Sequence, residues 1–220
     1  SDVQRIGISA TMEPLDAVAE YLVASDKRDS EINPQKVTIA KISGSRELDL
    51  DIILPTPRFA STPIKEILDH NVARIKELVE AHTTTLVFVN TRNMTETFVQ
   101  KLKIAGLLGV EGHHGSMDKA IRLDVEQRLK NGFLRCVVSS SSLEMGIDIG
   151  SVDLVIQVGS PGSIATALQR IGRAGHQVGG LPRARFLPIS PHDLLEIVAL
   201  QTGILRGSMD ILKFPENCLD

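Results

Sequence analysis

The chain has 220 residues, of which 42% are hydrophobic, and its formal net charge is −3 at pH 7. These values exclude a disordered chain and predict one domain, with room for a small appendage. The acidic balance argues against a protein that coats nucleic acid through overall positive charge. The two cysteines lie far apart, so they form no disulfide framework and favour a reducing, cytoplasmic setting. No apolar stretch approaches the roughly 20 residues that cross a bilayer, so we expect no membrane partner.

The predicted elements alternate between helix and strand along most of the chain. In chain order they are a helix over 15–24, strands over 37–42 and 48–54, a proline-containing loop, a helix over 64–81, a strand over 85–89, a helix over 94–105, a short strand ending at 113, a helix over 119–129, strands over 134–138 and 154–158, a helix over 164–173, a strand over 184–188 and a helix over 193–205. This alternation predicts an α/β fold in which helices cover both faces of a parallel sheet.

Polar clusters follow several of the predicted strands. They occupy positions 90–92, 113–116, 139–142 and 159–163. Ligands of parallel sheets collect where loops leave the carboxyl ends of the strands. We therefore expect the functional residues at this edge of the sheet.

A basic segment and an amphipathic helix point to anion binding. From Leu154 to His192 there is no Asp or Glu, although four arginines occur, at positions 170, 173, 183 and 185. We interpret this segment as a local anion-binding surface. In the helix that begins at Ser163, one face is apolar, and the other carries Thr166, Gln169, Arg170 and Arg173. The two guanidinium groups are expected to point away from the sheet and to share a phosphate. A solvated polar face is the alternative.

Four segments resemble motifs of superfamily 2 helicases, in matching order and separation. The segment from Gln169 to His176 resembles motif VI, and that from Ser140 to Asp148 resembles motif V; positions 9–11 resemble motif III, and positions 86–92 resemble motif IV. The nearest likeness is to the large helicase-related (Lhr) family. It implies the second, C-terminal lobe of the helicase, a RecA-like, P-loop NTPase-type fold in three layers. In this interpretation residues 1–30 end the first lobe, 31–190 form the RecA-like domain, and 191–220 begin a connection to a downstream domain.

The resemblance also implies which residues contact ATP. Arg170 and Arg173 match arginine fingers that stabilise charge on the γ-phosphate, and Arg173 is the stronger candidate. Asp148 matches a ribose contact, with a turn or helix cap as the alternative, and Gly146 lies where the backbone approaches the phosphates. Gln169 completes the set. Many relatives have Arg where this chain has His176, which makes His176 the weaker donor.

A second implied set contacts the backbone of nucleic acid. Its members are polar residues or glycine at strand ends: Asn90, Thr91, Arg92, His114, Gly115, Ser116, Ser140 and Ser141. Aromatic residues make up only 3% of the chain, so base stacking cannot be the main grip. For His113 we expect a hydrogen-bonded histidine at a strand end, and for Glu144 support of its loop.

Two elements of an ATPase are missing from the sequence. There is no phosphate loop of the type Gly-x-x-x-x-Gly-Lys-Ser/Thr and no Asp-Glu dipeptide. We therefore expect ATP and Mg²⁺ to be bound mainly by a first RecA-like lobe in the same full-length chain, and the isolated 220 residues to be inactive.

The predicted function is an ATP-dependent helicase or translocase on single-stranded or duplex nucleic acid, with DNA favoured and RNA possible. The alternatives are a non-catalytic nucleic-acid-binding module, a DExH RNA helicase, and a small-molecule α/β enzyme that binds a phosphorylated substrate.

Overall fold

The computed structural model describes residues 6–9, 12–23, 37–40, 47–144, 149–175 and 180–211. In these ranges the helices are α1 (Leu15–Val23), α2 (Ile64–Glu80), α3 (Arg92–Ile104), α4 (Lys119–Lys130), α5 (Ile164–Ile171) and α6 (Pro191–Leu205). The strands are β1 (Asp49–Ile52), β2 (Thr85–Phe88), β3 (Val110–His113), β4 (Cys136–Ser139), β5 (Leu154–Val158) and β6 (Arg183–Leu187), and a short 3₁₀ turn spans Phe59–Ser61.

The strands form one sheet in the order β1-β6-β5-β2-β4-β3, and every neighbouring pair is parallel. The predicted α/β fold is therefore confirmed. All residues of β2, β4 and β5 are buried, because helices cover both faces at the centre of the sheet. This double burial explains why the three strands read as continuous apolar runs.

Alternate strand residues supply two separate cores. Leu86 and Phe88 pack with residues of α4, α5 and α6, whereas Val87 and Val89 pack with residues of α2 and α3. This division follows from the two-residue period of a strand, which sends successive side chains to opposite faces. Because every pair is parallel, the carboxyl ends of the six strands meet at one edge of the sheet, between the two helical layers.

Several element boundaries differ from the sequence-based prediction. Helix α3 begins at Arg92, because the Thr91 hydroxyl accepts a hydrogen bond from the backbone N–H of Met94 and caps the helix. Helix α5 ends at Ile171, two residues early, because the N–H of Arg173 bonds to the carbonyl of Arg170 in a tighter i→i−3 turn. The strand expected over 37–42 is wrong for residues 37–40, which form no regular element, and its last two positions lie outside the described residues.

Helix α6 belongs to the packed domain. Its residues Ile197 and Ile204 are buried in the same core as α4 and α5. The expectation that residues 191–220 begin a connection to a downstream domain stays a prediction. Across the described ranges, no helix is both long and apolar enough to span a membrane.

Candidate functional site

The segment after β5 is fixed by a short network of hydrogen bonds. Asp193 at the start of α6 accepts hydrogen bonds from the N–H groups of Ser160, at 2.5 Å, and Ile189, at 2.9 Å. From the other side, Asn90 Nδ2 donates to the carbonyl of Ser160 at 2.8 Å. Ser163 then caps α5 by accepting from the N–H of Thr166 at 3.0 Å. Helix α5 therefore leaves the sheet edge in a fixed direction.

Arg170 lies in the interior, against the sheet. Its Nη1 donates to Gln157 Oε1 at 2.7 Å, its Nε donates to Glu144 Oε1 at 2.8 Å, and its Nη2 also contacts that carboxylate oxygen. The guanidinium carbon is 5.2 Å from the centre of the Phe88 ring. Only 7% of the Arg170 side chain and 15% of that of Glu144 are exposed.

The expectation that both guanidinium groups of α5 point outward is therefore wrong for Arg170. Arg170 follows Ala167 by three residues, and residues so spaced share one side of a helix. Ala167 is buried in the core, so Arg170 is carried toward the sheet as well. Glu144 neutralises its charge, and Glu144 and Gln157 together accept hydrogen bonds from its donors.

The expected anion-binding surface from Leu154 to His192 is also mostly wrong. Arg185 forms a salt bridge of 2.8 Å with Asp49, and Arg183 lies 3.7 Å from the same carboxylate. Asp49 is on β1, which pairs with β6 in parallel register. The hydrogen bond from Arg185 holds the pKa of Asp49 below its usual value. The sequence segment lacks acidic residues, but the sheet brings a carboxylate from more than 100 residues away.

Arg173 differs from the other three arginines. It follows the last turn of α5 and is half-buried, and its Nε atom is buried with no hydrogen-bond partner among the residues that the structure describes. The backbone after it is fixed, because the N–H of Gly175 bonds to the carbonyl of Val152 at 3.1 Å. Gly175 has φ +69°, and an added Cβ would lie 3.0 Å from the backbone nitrogen of Pro182, so only glycine fits here. Gln169, on the same helix, is half-buried.

Three further residues of the predicted nucleotide set, Gly146, Asp148 and His176, lie outside the described residues. Their placement beside Arg173 therefore stays a prediction.

The predicted nucleic-acid set is spread over three loops that follow β2, β3 and β4. These strands are neighbours, so the loops emerge side by side. Arg92 Nη1 donates to Ser116 Oγ at 2.7 Å and joins the first loop to the second. Thr91, Gly115 and Ser141 are exposed, and Ser140 is half-buried. The structure thus brings together the loop residues, although Asn90 uses its amide to fix Ser160.

Two adjacent histidines at the end of β3 contact opposite helical layers. His114 is 8% exposed, and its Nε2 lies 2.7 Å from Glu96 on α3, while its Nδ1 is buried without a partner in the described part of the chain. His113 is fully buried, with Nε2 2.9 Å from Glu126 on α4 and Nδ1 2.6 Å from Ser142 Oγ. The prediction that His113 is a hydrogen-bonded strand-end histidine is confirmed.

Sequence reasoning missed the partners of these residues. Gln157 gives a weak signal, because it is the one polar residue in an otherwise apolar predicted strand. Glu126 and Asp193 give none, since a carboxylate on a helix is usually solvated. Arg122 on α4 was also missed: its Nε is buried and lacks a partner within the described ranges. Burial is the main cause that lowers the pKa of His113, and the charge of Arg122 adds to it.

Comparison with known proteins identifies the family. Residues 68–177 match the model of the helicase conserved C-terminal domain. The chain is 43% identical over 216 residues to the ATP-dependent helicase Lhr-Core of Methanocaldococcus jannaschii, covering 98% of this chain and 25% of that protein. It is 32% identical to the Lhr helicase/uracil glycosylase of Escherichia coli, covering 100% of this chain and 17% of that protein. The chain thus spans about a quarter or less of these relatives.

A solved structure shares both fold and sequence. The Mycobacterium smegmatis helicase Lhr bound to ssDNA and AMP-PNP superposes with a TM-score of 0.86 at 38% identity, over 96% of this chain and 27% of that one. The C-terminal domain of the DEAD-box protein Dbp5 superposes with a TM-score of 0.55 at 21% identity, which shows the shared RecA-like fold alone. The chain therefore belongs to the helicase conserved C-terminal domain family and is a C-terminal RecA-like lobe of the Lhr type.

Proposed function

We propose that this chain is the second lobe of a longer ATP-dependent superfamily 2 helicase, in which it completes an ATP site begun by the first lobe and contacts one nucleic-acid strand. The observation that carries the proposal is the buried Nε of Arg173, which has no hydrogen-bond partner among the residues that the structure describes. An unsatisfied buried donor costs about 1–3 kcal/mol. A phosphate oxygen supplied across the interface between the lobes would satisfy it and would accept the fork of the guanidinium group.

In this proposal Arg173 is the arginine finger that stabilises charge on the transferring phosphoryl group. Arg170 keeps its ion pair with Glu144 and fixes the end of α5, so that the next helical turn presents Arg173. Gln169, Gly146, Asp148 and His176 are proposed to line the same nucleotide. ATP supplies the hydrolysed phosphoanhydride bond, and Mg²⁺ is assigned to the first lobe. The described residues hold no group of three metal-binding side chains.

The nucleic-acid face is proposed to be the surface made by the three neighbouring loops. Thr91, Arg92 and Ser116 offer donors on one side, and Ser140 and Ser141 offer hydroxyls on the other. Such groups bind phosphate oxygens and read neither base nor sequence. A single DNA strand is the favoured partner, because the similar Mycobacterium smegmatis helicase is bound to ssDNA. The location proposed is the cytoplasm, where the free thiol of Cys136 stays reduced.

ATP hydrolysis by the longer protein tests the proposal. Arg173→Ala should lower strand-stimulated hydrolysis by about 10³-fold or more, because arginine fingers contribute that much. Binding of a labelled single strand should remain within about twofold, since Arg173 is not among the residues proposed to contact the strand. Arg206→Ala removes an exposed arginine after α6 and is the matched control, with no expected effect on either measurement.

The same experiment separates the alternatives. A non-catalytic nucleic-acid-binding module predicts no ATP hydrolysis in the unsubstituted longer protein. A small-molecule enzyme predicts hydrolysis that a single strand does not stimulate. Measurable ATP turnover by the isolated 220 residues would contradict the assignment of the ATP site to two lobes.

A further inference from the structure

The loop after β4 is anchored at three successive positions. Ser142 Oγ lies 2.6 Å from His113 Nδ1, 3.1 Å from the carbonyl oxygen of His113 and 3.2 Å from Ser139 Oγ. Leu143 is 1% exposed in the core, and Glu144 binds Arg170. A turn closes the loop, because the N–H of Glu144 bonds to the carbonyl of Ser141 at 3.2 Å. The chain therefore changes within three residues from exposed hydroxyls to a fully packed interior.

The protonation state of His113 determines which atom donates in its hydrogen bond with Ser142. Burial lowers the pKa of His113, against the smaller raising effect of Glu126, so the ring is neutral at pH 7 and carries one proton. The Glu126 carboxylate can only accept, so the proton lies on Nε2. The Ser142 hydroxyl then donates to Nδ1, which is nearer to it than the carbonyl oxygen of His113. The Ser139 hydroxyl then donates to Ser142 Oγ. Among the described residues the buried Nδ1 of His113 takes its hydrogen bond from Ser142, so this bond is kept only while Ser142 stays in place.

We infer that His113 is a positioning residue for strand binding: through Ser142 it holds Ser140 and Ser141 against the nucleic-acid backbone, and through the same loop it links that face to Glu144 and Arg170. The inference rests on the proposed function. It extends it by assigning a role to a fully buried residue that cannot itself reach a strand. The same loop runs from the strand face to the ion pair between Glu144 and Arg170.

The competing interpretation is that His113 serves stability alone. In that case variants should lose strand affinity only in proportion to their loss of stability. The two ring nitrogens allow the interpretations to be separated. The amide of asparagine ends where Nδ1 of histidine lies, and that of glutamine ends where Nε2 lies. His113→Asn therefore keeps an acceptor for Ser142. His113→Gln keeps a donor for Glu126 and leaves Ser142 with its longer contacts, to the carbonyl of residue 113 and to Ser139.

The test measures binding of labelled oligodeoxythymidine to the longer protein, together with the strand concentration that half-maximally stimulates ATP hydrolysis. His113→Gln should raise both the Kd for the strand and the half-maximally stimulating strand concentration by about threefold to tenfold, the effect of one lost hydrogen bond. The KM for ATP should change by less than about twofold. His113→Asn should restore strand affinity to near the original value. His82→Gln is the matched control, because His82 contacts the carbonyl of Leu78 at the opposite end of β2.

Ser142→Ala provides an independent variant. It should weaken strand binding at least as much as His113→Gln does, because it also removes the contacts with Ser139 and with the carbonyl of residue 113. The double variant should be no weaker than Ser142→Ala alone, because that substitution already removes the contact with His113 Nδ1. Additive losses, equal behaviour of the asparagine and glutamine variants, or losses that follow the melting temperatures would overturn the inference. The ranking in strand binding does not require ATP turnover. If the variants rank as expected in strand binding while the unsubstituted protein hydrolyses no ATP, the proposed helicase function is wrong and the positioning role of His113 stands.

Discussion

The ion pair between Glu144 and Arg170 gives the sharpest prediction for the stability of the fold. Glu144→Ala would leave a guanidinium group that is 7% exposed with Gln157 as its remaining hydrogen-bond partner and Phe88 beneath it. Breaking a buried pair by removing one partner costs about 3–5 kcal/mol. We take the lower end, about 3 kcal/mol, because Glu144 is at the rim and Gln157 remains.

Urea unfolding of the 220-residue chain measures this cost. With a dependence of about 2 kcal/mol per molar urea, the midpoint should fall by about 1.5 M. Glu77→Ala is the matched control, because Glu77 pairs with Arg74 at 2.7 Å on an exposed helix face. Exposed pairs of this spacing contribute about 0.3–0.5 kcal/mol, so this midpoint should move by about 0.2 M. Equal shifts for the two variants would refute the reasoning.

A double replacement checks the same point from the other side. Glu144→Leu combined with Arg170→Met removes both charges and leaves apolar groups in their place. Such replacements are often close to neutral, so the pair should recover most of the stability lost in Glu144→Ala. A double variant as unstable as Glu144→Ala would show that the loss does not come from an uncompensated charge.

Three further predictions concern titratable groups. Burial raises the pKa of the Cys136 thiol to about 12, so iodoacetamide at about pH 8 should alkylate it only after unfolding, as read by peptide mass spectrometry; rapid labelling of the folded chain would contradict this. The Arg185 hydrogen bond lowers the pKa of Asp49, so the stabilisation that the Asp49 carboxylate contributes is present above about pH 4 and is lost in acid. Asp49→Asn should therefore lower the free energy of unfolding by about 1 kcal/mol at pH 7, and in urea titrations this difference from the original chain should shrink toward pH 3. Burial lowers the pKa of His113, so the unfolded chain takes up more protons below about pH 6.5 and stability falls as pH decreases. His113→Asn should therefore make the urea midpoint depend less on pH between about pH 5 and 7, and an unchanged pH dependence would contradict the assignment.

The alternation along the chain between helical and strand spacing of the apolar residues was sufficient to predict most of the fold. Strands β2 and β5 and helices α2 and α4 were predicted to within one residue, since their apolar spacing has one interpretation. Helix ends were less accurate, because they depend on single capping bonds such as that of Thr91. The burial of Ile197 of α6 was not predicted, because sequence alone does not show which face of a helix meets the core.

The candidate site was predictable by type of residue and only partly by geometry. The loops at 90–92, 114–116 and 140–141 do lie side by side, because carboxyl ends of parallel strands meet at one edge. The expected pair of outward arginines was half wrong, because helical spacing does not reveal which distant carboxylate a buried charge will find. Glu144 was expected only to support its loop, and it also neutralises Arg170.

A single-turnover measurement tests the role of Arg173 most directly. The longer protein, with Arg173 or with Arg173→Ala, is saturated with a single strand and mixed with a substoichiometric amount of ATP, so the observed rate reports the chemical step. We expect this rate to fall by about 10³-fold while the affinity for a non-hydrolysable ATP analogue changes by less than about tenfold, because the guanidinium group acts mainly in the transition state. A rate within about threefold of that of the unsubstituted protein would contradict the assignment of Arg173 to the γ-phosphate.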